Sequence, residues 1–476
     1  EIYTLSLHDA SSELTRDGGG KWNNVTKNIT GLPAWGTIRQ IAPSQFDPGT
    51  AYVAIDFHMM DNREPFLYKT TDYGQTWKKI SDGLPQKHPL AYVMSVAENP
   101  NRKGMIFAGT GNAFYYSMDD GAQWTQFKDG LPASPVTWIA LDKPTHDVVV
   151  STYGRGIYVM HDITTLEQQD KRVADADGYL YAPNTGVRQA RAGYIDLFYD
   201  LKAAPKDSVK VEIMDEKGAV IRTMREHGRA GRNLAVWDLR GNPPIRVDLR
   251  TTPADDPHIW EEPRFKGKTV RPITHWGIEN PISRGPLVLD GKYSARVTAD
   301  GKSSTQQPLT ILRDPEIATS EADIAWSTQA QTKVRDDMDS AAVIINSIEK
   351  MRRQIEDRTR GDTVRAELKT ALKEVDTKLL NIELVLLSKS DFFSDDKYYV
   401  EPFHVYLNLI WLSGEIGTGA GDVAGGAEFR PTDASMQVLA GIETDLNRAR
   451  TQFKAFNDND LAKLNQLLAT KSAVVP

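Results

Sequence analysis

Between Asp56 and Glu64 the chain sets three carboxylates, a histidine and an arginine close together: Asp56, His58, Asp61, Arg63 and Glu64. Two carboxylates flanking one bond can hydrolyse a glycoside, at separations of roughly 5 Å or roughly 6.5–9.5 Å. Guanidinium groups suit the complementary task of gripping a carboxylate through paired N–H donors. Arg63 is one such group, and Arg155, beside Tyr153, is another. Cysteine is absent, so disulfides and cysteine-based metal sites are excluded. No Ser/His/Asp arrangement and no metal-ligand spacing stands out, so neither a metal nor a cofactor is expected.

The elements that carry these residues follow from a repeat. Thr70-Thr71-Asp72-Tyr73-Gly74-Gln75-Thr76-Trp77 has the form S/T-x-D-x-G-x-x-W, and it recurs at Thr15 to Trp22 and at Ser117 to Trp124. Gly-Leu-Pro follows each copy, at Gly31, Gly83 and Gly130. The aspartates Asp17, Asp72 and Asp119 are 55 and 47 residues apart, a period typical of propeller blades. Within each copy the roles read as structural. The glycines Gly19, Gly74 and Gly121 permit positive φ in a hairpin turn. The aspartate side chains accept backbone N–H groups as in an Asx-turn. Trp22, Trp77 and Trp124 open the return strand and bury apolar area.

Strand patterning around the boxes predicts four-stranded antiparallel blades, with the box at the third turn of each. Strands are expected near 37–41, 51–55, 66–68 and from Trp77, then near 92–96, 105–108, 114–116 and from Trp124, then near 136–140, 147–150 and 156–160. Trp22 is expected to open a lone strand, and no fourth box completes the last blade. Two sheet edges are then left open, and open edges template pairing with other chains. This topology puts the loop Asp56 to Pro65 and the turn Thr152 to Arg155 on the face opposite the boxes. His58, Arg63, Glu64, Tyr153 and Arg155 are therefore the candidate binding residues. The more ordinary reading of each is a solvated loop residue.

The boxes, with Ser151-Thr152-Tyr153-Gly154-Arg155-Gly156-Ile157-Tyr158-Val159, resemble the closing blade of bacterial exported BNR/Asp-box repeat proteins, a group labelled sortilin-like or glycosyl hydrolase. The resemblance covers about the first third of the chain. It departs from the family form at Tyr153, where histidine is expected, and at His161, where aspartate is expected. The opening decamer, Glu1 to Ala10, resembles the translation of a sequencing-library adaptor and is set aside from the fold, as tags are. On that view a signal peptide and further blades are expected upstream of Ser11.

Residues 164–186 are polar and read as a linker. From 187 to 314, short strands and turns predict a β-sandwich similar to the Ig-like domain of flagellar hook-capping proteins and many secreted enzymes. A Pro-rich, charged insertion at 241–286 carries His258, Trp260, His275 and Trp276, which could meet sugar or cover the sandwich. From 315 to 476 the periodicity is helical. Ser320 and Asp323 form a capping box, and Leu368, Leu372, Val375, Leu379, Ile382 and Leu386 form a heptad seam. Further helices are expected after Pro402 and Pro431, giving an antiparallel bundle. Gly417 to Asp422 imitates a nucleotide loop but follows a helix, so it reads as an interhelical connection.

The expected fold class is therefore multidomain and mainly β: a partial Asp-box β-propeller, an Ig-like β-sandwich and a C-terminal α-helical bundle. A net charge of −7 without a basic patch argues against nucleic acid as a partner, and no apolar run is long enough for a membrane span. The resemblance implies an exported, periplasmic or extracellular binding protein for a protein or carbohydrate ligand. The alternative is a glycoside hydrolase of sialidase or xyloglucanase type. For a sialidase the set is short of one arginine, since only Arg63 and Arg155 lie on the loop face.

Overall fold

A computed structural model describes residues 2–3, 13–15, 19–189, 193–274, 278, 282–360, 366–393, 401–416, 429–468 and 474. Asp17, His275, Trp276, the 361–362 turn and the 417–422 loop lie outside the described residues. The chain is mainly β with a helical C-terminal region, and it divides into two compact units, Glu1–Ala176 and Asp177–Pro476. Among the described residues no helix is long and apolar enough to cross a membrane.

The first unit is a series of antiparallel meanders. Thr37–Pro43, Ala51–Asp56, Phe66–Thr70 and Lys78–Lys79 form one four-stranded sheet, and Val93–Glu98, Ile106–Thr110, Phe114–Ser117 and Thr125–Phe127 form the next. Val136–Asp142, Asp147–Thr152 and Gly156–Met160 form a three-stranded sheet. Tyr52 and Leu67 pack with Val93, Val96 and Ile106 across one gap between sheets, while Phe107 and Phe114 pack with Val136, Ile139 and Val150 across the next. Inner strands are thus covered on both faces. Ala51–Asp56 and Ile106–Thr110 are buried throughout, so they read as apolar runs and not as alternation.

Trp22 does not open a lone strand. Trp22–Asn24 pairs with Glu13–Thr15, which pairs with Ile2–Tyr3, so the first sheet has three strands. That pairing includes two residues of the decamer set aside above. The last sheet ends on Gly156–Met160, paired only with Asp147–Thr152 among the described residues, and Trp138, Ile157 and Val159 stand exposed on its outer face.

The first strands of the three larger sheets converge. The buried Gln40 donates from Nε2 to the Ile139 carbonyl (3.4 Å) and accepts the Val96 N–H at Oε1 (3.1 Å), touching the other two sheets at once. Each of these strands also slips register near its start, at Ile38/Gln40, Val93/Ser95 and Val136/Trp138. The extra residues are Arg39, Met94 and Thr137, and such bulges re-aim a side chain.

The stretch 164–186, read as a linker, is structured: it holds short helices at Thr164–Glu167 and Lys171–Asp175, and the strand Gly178–Leu180. Glu167 folds back to accept from His146 Nδ1 (2.6 Å) and Asn99 Nδ2 (2.7 Å). The Glu167 hydrogen bond raises the His146 pKa above its ordinary 6.5, despite burial. Burial pushes the Glu167 carboxyl up, but its bonds from His146 and Asn99 prevail and hold it below 4.5. The histidine's stabilisation is therefore complete below pH 6.5 and fades as pH rises through its folded value, and the carboxylate's is complete above pH 4.5 and fades in acid. His146→Gln should flatten the alkaline side: between pH 6 and pH 9 the parent chain should lose more urea stability in its first unit than the variant. Equal losses in both proteins would refute the assignment.

In the second unit two sheets enclose one core. Gly178–Leu180, Ile195–Leu201 and Gly231–Trp237 make one sheet; Gly186–Arg188, Gln307–Arg313, Gly291–Ala299, Val209–Met214 and Val220–Glu226 make the other, with Lys302–Ser303 paired onto Gly291–Ala299. Ile195–Leu201 alternates cleanly between buried and half-buried. Trp237 is fully buried, meets Tyr293 edge-on at 5.9 Å and donates from Nε1 to the Arg240 carbonyl (2.9 Å).

Helices follow at Glu321–Thr359, Ala366–Leu386, Val405–Glu415, Asp433–Phe456 and Ala462–Leu467. Ser320 caps the first, accepting the Asp323 N–H and donating to its carboxylate, and Thr432 caps the fourth. The seam is buried from Leu372 to Leu386, while Leu368 at its start is only half-buried.

The Pro-rich insertion meets the sandwich at its start, where Gly241 and Asn242 bond to the strand Val220–Glu226. It lies along the 39-residue first helix and adds Val247, Leu249 and Ile273 to the helical core. Helix side chains receive its otherwise unpaired backbone N–H groups: Asp339 takes Ile245 (2.6 Å), Asn346 takes Asp248 (2.7 Å) and Glu349 takes Thr251 (2.8 Å). A stretch with so little regular structure must satisfy its backbone in some such way. Behind this ladder Arg352 donates to Glu383 (2.7 Å) and Asp376 (3.0 Å) and lies 3.8 Å from Glu349; both glutamates are fully buried.

Candidate functional site

A polar cluster of the first unit gathers on Asp56, beside the bulge at Arg39. Arg39 is the extra residue of the bulge, next to Ile38, and Asp56 stands at the end of the neighbouring strand, paired with Thr37. Arg39 donates from Nε (2.9 Å) and Nη2 (2.7 Å) to Asp56 Oδ2. His58 Nδ1 lies 2.7 Å from the same oxygen, and the His58 backbone N–H donates to Asp56 Oδ1 at 2.9 Å. The Asp56 side chain is buried while Arg39 and His58 are partly open. The His58 ring stacks on Tyr92 at 4.5 Å and 18°, tying this loop to the next sheet. A Cβ at Gly111 would overlap the Tyr92 ring at 2.5 Å, so glycine is needed there for the stack to close.

The other candidates are more loosely held. Arg63 donates to the Pro89 carbonyl at 3.3 Å and lies 3.9 Å from Asp61, whose side chain is exposed. Glu64 is exposed, with its backbone N–H on Asn62 Oδ1 at 3.0 Å. Tyr153 and Arg155 stand exposed in the turn between Asp147–Thr152 and Gly156–Met160, with Gly154 and Gly156 at positive φ. The structure thus joins His58 to Asp56, and Arg63 to the adjoining loop. It gives Tyr153 and Arg155 no bond to either, because they belong to a different sheet. Arg39 and Tyr92 belong to the cluster and were missed by sequence reasoning. A bulge depends on inter-strand register, which local pattern does not reveal.

The box turns have their own geometry. Thr70 Oγ1 donates to Asp72 (2.9 Å) and accepts the Gly74 N–H (2.9 Å), while Asp72 accepts the Thr76 N–H (2.9 Å). Ser117, Asp119, Gly121 and Gln123 repeat the pattern at 2.8–2.9 Å. The Thr76 hydroxyl and backbone N–H, with the Thr70 hydroxyl, hold the Asp72 carboxyl below its ordinary value. In the first box Gly19 donates its N–H to Thr15 Oγ1 at 2.9 Å, and the Trp22 indole donates to the Gly19 carbonyl at 3.1 Å. The Trp124 indole donates to the Ile80 carbonyl of the preceding repeat (2.8 Å). Among the described residues no three His, Asp or Glu side chains gather as a metal site.

No family model matches the chain. A xyloglucanase of Hypocrea jecorina is 29% identical over 148 residues, which is 30% of this chain and 16% of that enzyme. Solved structures with partial overlap include YCF48 bound to D1 peptide, at 15% identity and a TM-score of 0.25 over 65% of this chain and 79% of that one. They also include the GH74 xyloglucanase from Xanthomonas campestris, at 16% identity and a TM-score of 0.24 over 68% of this chain and 46% of that one. At these TM-scores the architecture rests on the strand pairings described above.

Proposed function

We propose that this chain is an exported, non-catalytic binding protein built on an Asp-box β-propeller of the sortilin-like kind. In this reading residues 11–163 belong to the propeller, 187–314 to an Ig-like sandwich and 315–476 to a helical bundle. The box residues, among them Asp72, Gly74, Trp77, Asp119, Gly121 and Trp124, act as turn locks. The ligand, a polysaccharide or a protein surface, meets the loop face at His58, Arg63, Glu64, Tyr153 and Arg155.

The observation that carries the binding reading is the state of Asp56. It is the buried carboxylate of the cluster, and Arg39 and His58 already occupy it. A carboxylate held in this way orients its neighbours and is poorly placed to move protons for a substrate. Exposed Tyr153 and Arg155 are, by contrast, residue types that dominate binding energies.

The glycoside hydrolase reading stands second, favoured by the local identity to a xyloglucanase. One experiment separates them: affinity electrophoresis of the full chain in xyloglucan gels, with reducing-end release measured on the same samples. Retardation without release is expected, and Tyr153→Ala should weaken retention by about 2 kcal/mol. Sustained release of reducing ends that Glu64→Gln abolishes would overturn the binding reading in favour of hydrolysis.

A further inference from the structure

In the second unit a cavity of about 310 Å³ opens between the Pro-rich insertion and the helix Val405–Glu415. That volume is at the small end of ligand pockets. Its floor is apolar, formed by Val247, Ile273, Ile278 and Tyr406, all buried. Charge at its wall is one-sided. Arg246 and Lys268 line it and are exposed, and among the described residues neither is paired with a carboxylate. The acid in the lining, Asp248, is turned to Arg250 at 3.2 Å.

Arg271 also lines the cavity and is only 2% exposed. Its Nε has no hydrogen-bond partner, and its Nη2 reaches the Thr251 carbonyl only at 3.4 Å. Its guanidinium carbon lies 5.8 Å from the Trp260 ring centre. Glu349, Asp256, Glu262 and Glu383 act on this buried guanidinium through space, but its Nε has no direct acceptor. An anion bound nearby would offset it without any rearrangement of the wall.

We propose that this cavity binds a small carboxylate with an apolar tail. The carboxylate sits at the mouth between Arg246 and Lys268, in the field of Arg271. The tail lies on Val247, Ile273, Ile278 and Tyr406. A planar carboxylate matches a guanidinium fork. A bare inorganic anion would gain nothing from the apolar floor, and a neutral amphiphile would gain nothing from the cations. The site is independent of the loop face in the first unit, and so is its test.

The test is calorimetric titration of the full chain with hexanoate, hexanamide and inorganic phosphate. Saturable hexanoate binding is expected, with hexanamide weaker by about tenfold or more and no saturable heat from phosphate. The double variant Arg246→Ala/Lys268→Ala alters two exposed side chains. It should weaken hexanoate by about tenfold and leave hexanamide unchanged. No saturable hexanoate heat, equal affinity for hexanamide, or hexanoate binding that survives in the folded double variant would each overturn the proposal. Phosphate binding as tight as hexanoate would reduce the site to a bare anion patch and overturn it as well. The hexanoate and hexanamide comparison uses the unaltered chain, so it decides the question even where a variant misfolds.

Discussion

Replacing Arg352 with methionine should destabilise the helical region by about 3–5 kcal/mol. The guanidinium is nearly buried and serves Glu383, Asp376 and, at longer range, Glu349. Glu349 has other donors in Thr251, whereas Glu383 Oε1 is buried without a partner. Burial already pushes the Glu383 carboxyl well above its usual range, with Glu349 adding to the push and Arg352 opposing it. Without Arg352 that acid must stay protonated or remain as an uncompensated buried charge. The loss should be read from urea unfolding followed by helical circular dichroism, and a change below about 1 kcal/mol would sink the assignment. Arg352→Met combined with Glu383→Leu should recover much of the stability, because removing both charges removes the desolvation cost.

Trp237→Ala should cost the sandwich about 3–5 kcal/mol, the usual range for emptying a large aromatic site. Three losses combine: the filled volume between the sheets, the edge contact with Tyr293, and the donor to the Arg240 carbonyl. Trp237→Phe separates them by restoring most of the volume but not the N–H, leaving a deficit of about 1–3 kcal/mol. Hydrogen exchange of Ile195–Leu201 and Gly291–Ala299 is the direct measurement. Unchanged protection in the alanine variant would mean that this tryptophan does not hold the two sheets together.

How much of this was legible in the sequence depends on how far each interaction reaches along the chain. The strands around Thr70 to Trp77 and Ser117 to Trp124 could be read closely, because hairpin turns and return strands are local. Ser320 with Asp323 and the seam from Leu372 to Leu386 could be read for the same reason. The clasp on Asp56 could not. His58 is two residues away, but Arg39 comes from the neighbouring strand, seventeen residues earlier, and Tyr92 from the start of another sheet. Glu349 and Glu383 look like ordinary polar helix residues, and only the fold shows them fully buried. The Pro-rich insertion had no periodicity to read, since its backbone bonds to a helix nearly a hundred residues downstream.

That separation also has a consequence in time. A ribosome releases the insertion well before it makes the helix that receives its N–H groups. The distance of 94 to 98 residues corresponds to roughly 5–20 s at ordinary elongation rates. During that interval the sandwich strands on either side of the insertion can pair, while the insertion itself remains a loop bonded to water. The order of synthesis therefore makes the insertion become ordered after the strands on either side of it, although it is made between them.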